Sequence, residues 1–451
     1  MNMNHISTGR FALALGVSVM ALGTMSCKDE PDKYEHTDGV PAIEYVRSTD
    51  PAAADSLLTG AYLSNTVCLR GENLRSIHEI YFNDQKAILN TSLITDNSLI
   101  VDVPSKIPAR VTDTMYLINW TGDTIKYPFK SLVPAPKGSS MSCEWAPAGS
   151  KATIYGDFFV NDPSFKMTLT DSEGNAANIE SLDQNSISFT VPDNWKPGYL
   201  TLTTIYGKSK SKFRYKDDLN ILFDFDGTRG GQPGGNGWHS AKTYDNLEAE
   251  GVPEVTPIDG KFMAFIGDTY SEESNGAGAS EDNSGMEYWT DFTPEHPRLS
   301  EKPDFADILK RYDWTDLQVK FEMCVPASRP WKSTALRIMF TDIKTVSSNN
   351  ANNLYRYETD AYEGVGYPRC TYQPYADLKA SGYNFNTADE WITVTIPLSS
   401  FRFNRAGQAM TKLYTNESFD GMTMCMDVGG DAGAECSPVI CFDNIRVVPI
   451  E

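Results

Sequence analysis

The chain has 451 residues, with 39 basic and 60 acidic side chains and a net charge of −21. Such a surface repels phosphate backbones and anionic lipids, so nucleic acid is excluded as an expected partner. It suits a neutral ligand or a bound divalent cation, although the solubility of an exposed protein accounts for it equally well.

The first element is an apolar run, Phe11–Gly23, that follows Arg10 and leads to Leu22-Gly23-Thr24-Met25-Ser26-Cys27. At 13 residues it is too short to span a bilayer core of roughly 30 Å. It reads as a lipoprotein signal peptide over 1–26, with cleavage before Cys27 and acylation of its sulfur. The chain would then meet a membrane through its lipid anchor only. Lys28-Asp29-Glu30 resembles the acidic export signal of Bacteroidetes surface lipoproteins. Residues 27–39 are charged, lack apolar patterning and read as a tether.

Beyond the tether, amphipathic helical patterns are nearly absent. Short runs rich in Val, Ile, Thr, Tyr and Phe alternate with turn residues, which predicts an all-β, multi-domain secreted chain. Residues 40–136 and 137–216 repeat one layout. Val67–Leu74, with Gly71, matches Ala152–Phe159, with Gly156. Ile80-Tyr81-Phe82 matches Phe165–Leu169. Leu99–Pro104 matches Ile187–Pro192, and Met115–Trp120 matches Gly198–Tyr206. Period-2 alternation buries one face of each strand, so each segment is expected to be a small sandwich. Both resemble the IPT/TIG immunoglobulin-like module, which implies two tandem spacers. Trp120, Trp145 and Trp195 are scattered through them and are expected to pack against cores or turns.

Residues 217–451 differ. They open with Ile221–Gly227 and close with Val439–Val448. Between these lie candidate strands Leu317–Val325, Ala335–Thr341, Trp391–Leu398 and Met422–Val428. The pattern predicts one larger β-sandwich of jelly-roll type. Its aromatics are candidates for stacking on pyranose rings, because Tyr and Trp join a flat apolar body to a polar tip. Trp391 and Trp314 adjoin strands and read as structural. Trp331, Tyr372 and Tyr375 stand beside prolines and read as the platform, with Trp289 and Trp238 as further candidates.

Carboxylates offer two other chemistries. Glu358-Thr359-Asp360-Ala361-Tyr362-Glu363 has the E-x-D-x-x-E spacing that puts acids on one face of a bulged strand, as in jelly-roll retaining glycosidases. A solvated acidic loop is the favoured reading of that segment. Asp224 and Asp226 near the opening of the region, with Asp443 and Asn444 near its close, form a candidate structural Ca²⁺ set if first and last strands meet. No other cofactor is implied, since phosphate-loop, dinucleotide and nucleophile-elbow patterns are lacking and the five histidines are dispersed. Seven cysteines remain besides Cys27, without a C-x-x-C pair, which argues against zinc. Cys425, Cys436 and Cys441 leave open one disulfide or buried free thiols.

Taken together, the lipidation signal, the tandem IPT-like segments and the aromatic-rich sandwich resemble the surface glycan-binding lipoproteins of Bacteroidetes polysaccharide utilisation systems. The marks in the last domain are Val325–Trp331, Tyr372-Gln373-Pro374-Tyr375, Trp391–Leu398 and Phe442-Asp443-Asn444-Ile445. The resemblance implies a non-catalytic protein on the outer face of the outer membrane. It implies binding of a β-glucan or xyloglucan beside a TonB-dependent transporter and its lipoprotein partner. The competing readings are a glycosidase using Glu358, Asp360 and Glu363, and a protein-binding adhesin.

Overall fold

The computed structural model describes residues 34–451 apart from 54, 231–241, 270–284, 295–296, 343, 345–366, 403–413 and 428–430. The described residues are almost entirely β, with one five-residue α-helix, Phe305–Leu309, capped by the Asp304 carboxylate. The chain divides into two compact units. One holds the residues up to 104 with 112–130, and the other holds 105–111 with 131–451. The boundary expected at 216/217 therefore falls inside a single unit.

The two immunoglobulin-like segments share one plan. In the first, Ala42–Ser48, Thr66–Glu72 and Ser98–Asp102 form one sheet. Gln85–Lys86, Ile77–Phe82, Thr114–Asn119 and Thr124–Pro128 form the other. In the second, Lys137–Met141, Lys151–Asp157, Ser186–Thr190 and Ile179–Asp183 are in order in one sheet. Ala176–Ala177, Thr168–Thr170, Gly198–Thr204 and Gly207–Tyr215 make the other. Alternate side chains fill each core, Leu69, Ile80, Leu99 and Leu117 in the first and Ile154, Leu169, Phe189 and Leu202 in the second.

The paired glycines of the repeat have a steric cause. A Cβ on Gly71 would stand 1.9 Å from the Ala42 carbonyl oxygen, and one on Gly156 would stand 1.8 Å from that of Lys137. In both segments the ladder slips beside that glycine, between Ile43 and Tyr45 and between Gly138 and Ser140. Glycine permits the close backbone approach that the bulge requires.

The third region is a sandwich of two antiparallel sheets. The larger runs Lys242–Tyr244, Phe262–Ile266, Val439–Pro449, Leu317–Cys324, Ile392–Pro397, with Ile221–Phe223 also paired to Val439–Pro449. The smaller runs Gly285–Tyr288, Met422–Asp427, Ala335–Phe340, Arg369–Tyr372. Val319, Phe321, Met323, Phe442 and Val447 from the larger sheet meet Tyr288, Ile338, Phe340, Met422 and Met424 from the smaller.

The larger sheet is buried on its second face too. Phe262, Ala264, Cys324, Val439 and Cys441 share one apolar cluster with Trp145, Trp195, Phe213 and Tyr215 of the second immunoglobulin-like segment. Burial on both faces is why every residue of Leu317–Cys324 is buried even though Lys320 and Glu322 are charged. Their charges are met across this interface. Glu144 accepts from Lys320 at 2.5 Å and from Arg446 at 2.8 Å, and Arg446 also donates to both Glu322 oxygens at 2.7 and 3.1 Å. The Thr393 hydroxyl donates to Glu322 and accepts from the Glu144 N–H. Two anions and two cations thus balance in a buried interface, where an unpaired charge would be costly. Far from being a free spacer, the second segment is one wall of the third region's larger sheet.

Cys68, Cys143, Cys324, Cys370, Cys436 and Cys441 are free thiols. No described helix is long and apolar enough to cross a membrane.

Candidate functional site

Strand alternation separates the two faces of the smaller sheet. Met286, Tyr288, Leu336, Ile338, Met422, Met424 and Met426 turn into the core, and Cys370 and Tyr372 pack against it. Their neighbours turn away from it. The register then aligns them across the strands. Glu287, Thr423, Met339 and Arg369 make one row, and Gly285, Cys425, Arg337 and Thr371 make the next. A carboxylate, two guanidinium groups and two hydroxyls stand here among small and apolar residues. Such groups can hydrogen-bond sugar hydroxyls in both directions.

Trp289 follows directly on Gly285–Tyr288 at one end of this face and is half-buried. Its indole N–H donates to Glu287 Oε2 at 3.1 Å, which fixes the ring relative to the face. Burial pushes the Glu287 carboxyl up to about 7, and the Trp289 hydrogen bond offsets part of that rise. Glu287, Arg337, Arg369 and Thr423 are buried, while Thr371 is half-buried like Trp289.

The aromatics expected as a platform are placed differently. Trp331 and Tyr375 are both 0% exposed and belong to the core. The Trp331 N–H donates to the carbonyls of Ser333 and Thr334 at 2.8 Å, and the Tyr375 hydroxyl donates to the Asp431 carbonyl at 3.0 Å. Their rings pack on each other at 5.7 Å. Neither offers a face to a ligand. Tyr372 is half-buried, packs against the same core and lies 6.1 Å from the Trp331 ring. Trp391, buried, donates to the Thr256 carbonyl, and Trp314 stacks on Phe419. Trp238 and the acids Glu358, Asp360 and Glu363 lie outside the described residues, as does Cys27.

In the immunoglobulin-like segments, Trp145 and Trp195 are buried as expected, but Trp120 is 46% exposed. It lies at the Thr114–Asn119 hairpin turn, with the His78 ring 4.0 Å away and the His36 ring 5.0 Å away.

The acids read as a cation set stand near one another where Ile221–Phe223 pairs with Val439–Pro449. Asp224 is engaged by Thr228 and by Arg229 Nε at 3.3 Å. Asp259, which the sequence did not single out, joins Asp226, Asp443 and Asn444 instead. Among the described residues, no three carboxylate, imidazole or thiol side chains stand within one metal's reach.

A separate cavity of about 130 Å³ lies between the second immunoglobulin-like segment and the third region. Its lining mixes Arg214, Arg311 and Lys320 with Asp217 and Glu451, beside Tyr199.

The third region is thus a two-sheet β-sandwich whose smaller sheet carries register-aligned polar rows, joined to an immunoglobulin-like segment. The profile of the "surface glycan-binding protein B xyloglucan binding domain" matches residues 215–449. The crystal structure of the surface glycan-binding protein PbSGBP-B from Prevotella bryantii superposes with a TM-score of 0.69 at 31% identity, covering 92% of this chain and 99% of that one. An IPT/TIG domain-containing protein of Bacteroides ovatus is 33% identical over 103 residues, which is 23% of this chain and 20% of that protein. The chain belongs to the surface glycan-binding protein B family.

Proposed function

We propose that this surface glycan-binding protein holds xyloglucan or another plant or cereal β-glucan across the outer face of the smaller sheet. It presents the chain to a TonB-dependent transporter and that transporter's lipoprotein partner. The observation that carries the reading is the half-buried pair Trp289 and Thr371, which stand at the margin of two otherwise buried polar rows, Glu287-Thr423-Met339-Arg369 and Gly285-Cys425-Arg337-Thr371. In this reading the Trp289 ring stacks on a pyranose while the Thr371 hydroxyl bonds its edge. The family's name for the matched domain favours xyloglucan. Acyl chains on Cys27 hold the protein on the outer face of the outer membrane, and many tethered copies add avidity to modest single-site binding. The protein captures without cleaving.

Affinity electrophoresis of the full chain against a panel of soluble polysaccharides tests this. Retardation by xyloglucan or a mixed-linkage glucan is expected. It should weaken strongly in Trp289→Ala and Thr371→Ala while their melting temperatures stay unchanged. Retardation undiminished in both variants would move the site off this face. Absence of retardation by every glycan would favour the adhesin reading. New reducing ends during prolonged incubation with the bound glycan would establish catalysis instead.

A further inference from the structure

In a chain of net charge −21, one strand is basic along a whole face. Gly207–Tyr215 reads Gly-Lys-Ser-Lys-Ser-Lys-Phe-Arg-Tyr. Its alternation buries Ser211, Phe213 and Tyr215 and leaves Lys208, Lys210 and Lys212 exposed, with Arg214 half-buried at the end of the same row. The strand is the edge of its sheet, and lysines there discourage the addition of further strands. That role does not account for what lies at the end of the row.

There the cavity of about 130 Å³ opens, with Lys212, Arg214, Arg311, Tyr312 and Asn220 on its wall. A cavity of that order admits a single six-membered ring. Asn220 is 1% exposed. Its amide donates to the Val447 carbonyl at 2.6 Å, but its Oδ1 is buried and has no partner. An acceptor left bare on a cavity wall carries a desolvation cost that a ligand hydroxyl would remove. The cations divide into two groups. Lys320 is held by Glu144, and Arg214 stands 3.4 Å from Asp217. Lys212 and Arg311 have no carboxylate partner among the described residues. The aromatics divide as well. The Tyr199 ring is covered by Arg214 at 4.9 Å and Lys210 at 5.9 Å, whereas Tyr312 is 41% exposed at the rim beside Leu219, which is 39% exposed.

The geometry points to a second saccharide site, apart from the smaller sheet, that takes an acidic glycan built of uronate pyranoses. One uronate ring occupies the cavity against Tyr312, with its carboxylate on Lys212 and Arg311 and a hydroxyl donating to Asn220 Oδ1. Further uronate units follow the row through Lys210 and Lys208. A neutral glucan would satisfy Asn220 but bring no anion to the two cations. An inorganic anion would meet the cations but bring no ring for Tyr312. A sugar acid supplies the charge, the hydroxyl and the ring together. Because the rest of the surface is acidic, the row is also where an anionic polymer is drawn in.

The test uses the full chain with trigalacturonate as the probe, followed by isothermal titration calorimetry. Saturable binding at low salt is expected, weakening steeply as salt is added. Lys212→Gln and Arg311→Gln, both at exposed positions, should each weaken it about tenfold, and the double variant should abolish it. All three should melt as the wild type does and be retarded by neutral glycans to the same degree as the wild type. Trp289→Ala should bind trigalacturonate undiminished, which separates this site from the face of the smaller sheet. No binding of trigalacturonate at low salt would overturn the proposal, and so would full binding by the double variant. Equal affinity for a sulfated trisaccharide would reveal a general polyanion face and overturn the assignment to uronates.

Discussion

Trp331 marks the difference between reading an aromatic and placing it. Beside Pro330 it resembles a ring on a rigid loop, yet its side chain is enclosed by Tyr372, Tyr375 and Phe385 and its N–H is doubly accepted. Trp331→Ala should therefore cost about 3–5 kcal/mol of stability. Thermal or denaturant unfolding reads this as a large loss, with glycan binding failing only as the fold fails. Local sequence carries no sign for the direction of a ring, so this residue was not legible. Glu287, Arg337 and Arg369 were legible in principle, as polar residues alternating with apolar ones in short strands, but Met339 and Cys425 on the same face blur that alternation. Glu287 also predicts a pH dependence. Its folded pKa, raised by burial to about 7, lies above the ordinary glutamate value of 4.5. Between those values the folded state holds a proton that the unfolded state has lost, so stability falls as pH rises from about 4.5 to about 7 and then levels. Other buried acids share this window, so the difference between wild type and Glu287→Gln isolates the residue. Melting curves from pH 4.5 to 8 should show a shallower fall in the variant.

At the scale of elements, the most consequential packing is that of the larger sheet against the second immunoglobulin-like segment. Arg446 and Glu144 are 302 positions apart, and neither segment announces its partner. The strands themselves were largely legible. Leu317–Val325, Ala335–Thr341 and Met422–Val428 were expected, and Leu317–Cys324, Ala335–Phe340 and Met422–Asp427 are found. What the apolar pattern left open was how many faces of a sheet are covered, because paired charges can sit in a buried strand. Removing one member of the ion quartet strands the others in a buried interface. Glu144→Ala should cost about 3–5 kcal/mol, and simultaneous replacement of Glu144, Lys320, Glu322 and Arg446 by apolar residues should cost much less. Equilibrium unfolding of both variants checks this. The repeat glycines belong to this scale as well. Gly156→Ala must displace the Lys137 carbonyl and should lose about 1–3 kcal/mol, as overpacking does.

For the whole molecule, the unit containing 131–451 sets what can be separated. A fragment 217–451 exposes the apolar face of the larger sheet and leaves Lys320 and Arg446 without Glu144, whereas 131–451 keeps both. The shorter fragment should aggregate or melt without cooperativity, and the longer one should melt cooperatively and retain glycan binding. Circular dichroism and affinity electrophoresis of the two decide it. The succession of immunoglobulin-like segments followed by a larger sandwich was legible because each strand carries its own alternation. The fusion of the second segment with that sandwich was not, because it depends on residues far apart in the chain.

The strand Val439–Pro449 pairs with Ile221–Phe223, Phe262–Ile266 and Leu317–Cys324, all of which precede it. It occupies the middle of its sheet rather than an edge. While the polypeptide is being made, the earlier strands must therefore wait, with two open edges and an uncovered apolar face, for a segment that emerges long after them. Biogenesis is thus the vulnerable period of this protein's life. A message truncated before codon 439 would yield a product for chaperones and proteases to clear, not a weakened binding protein.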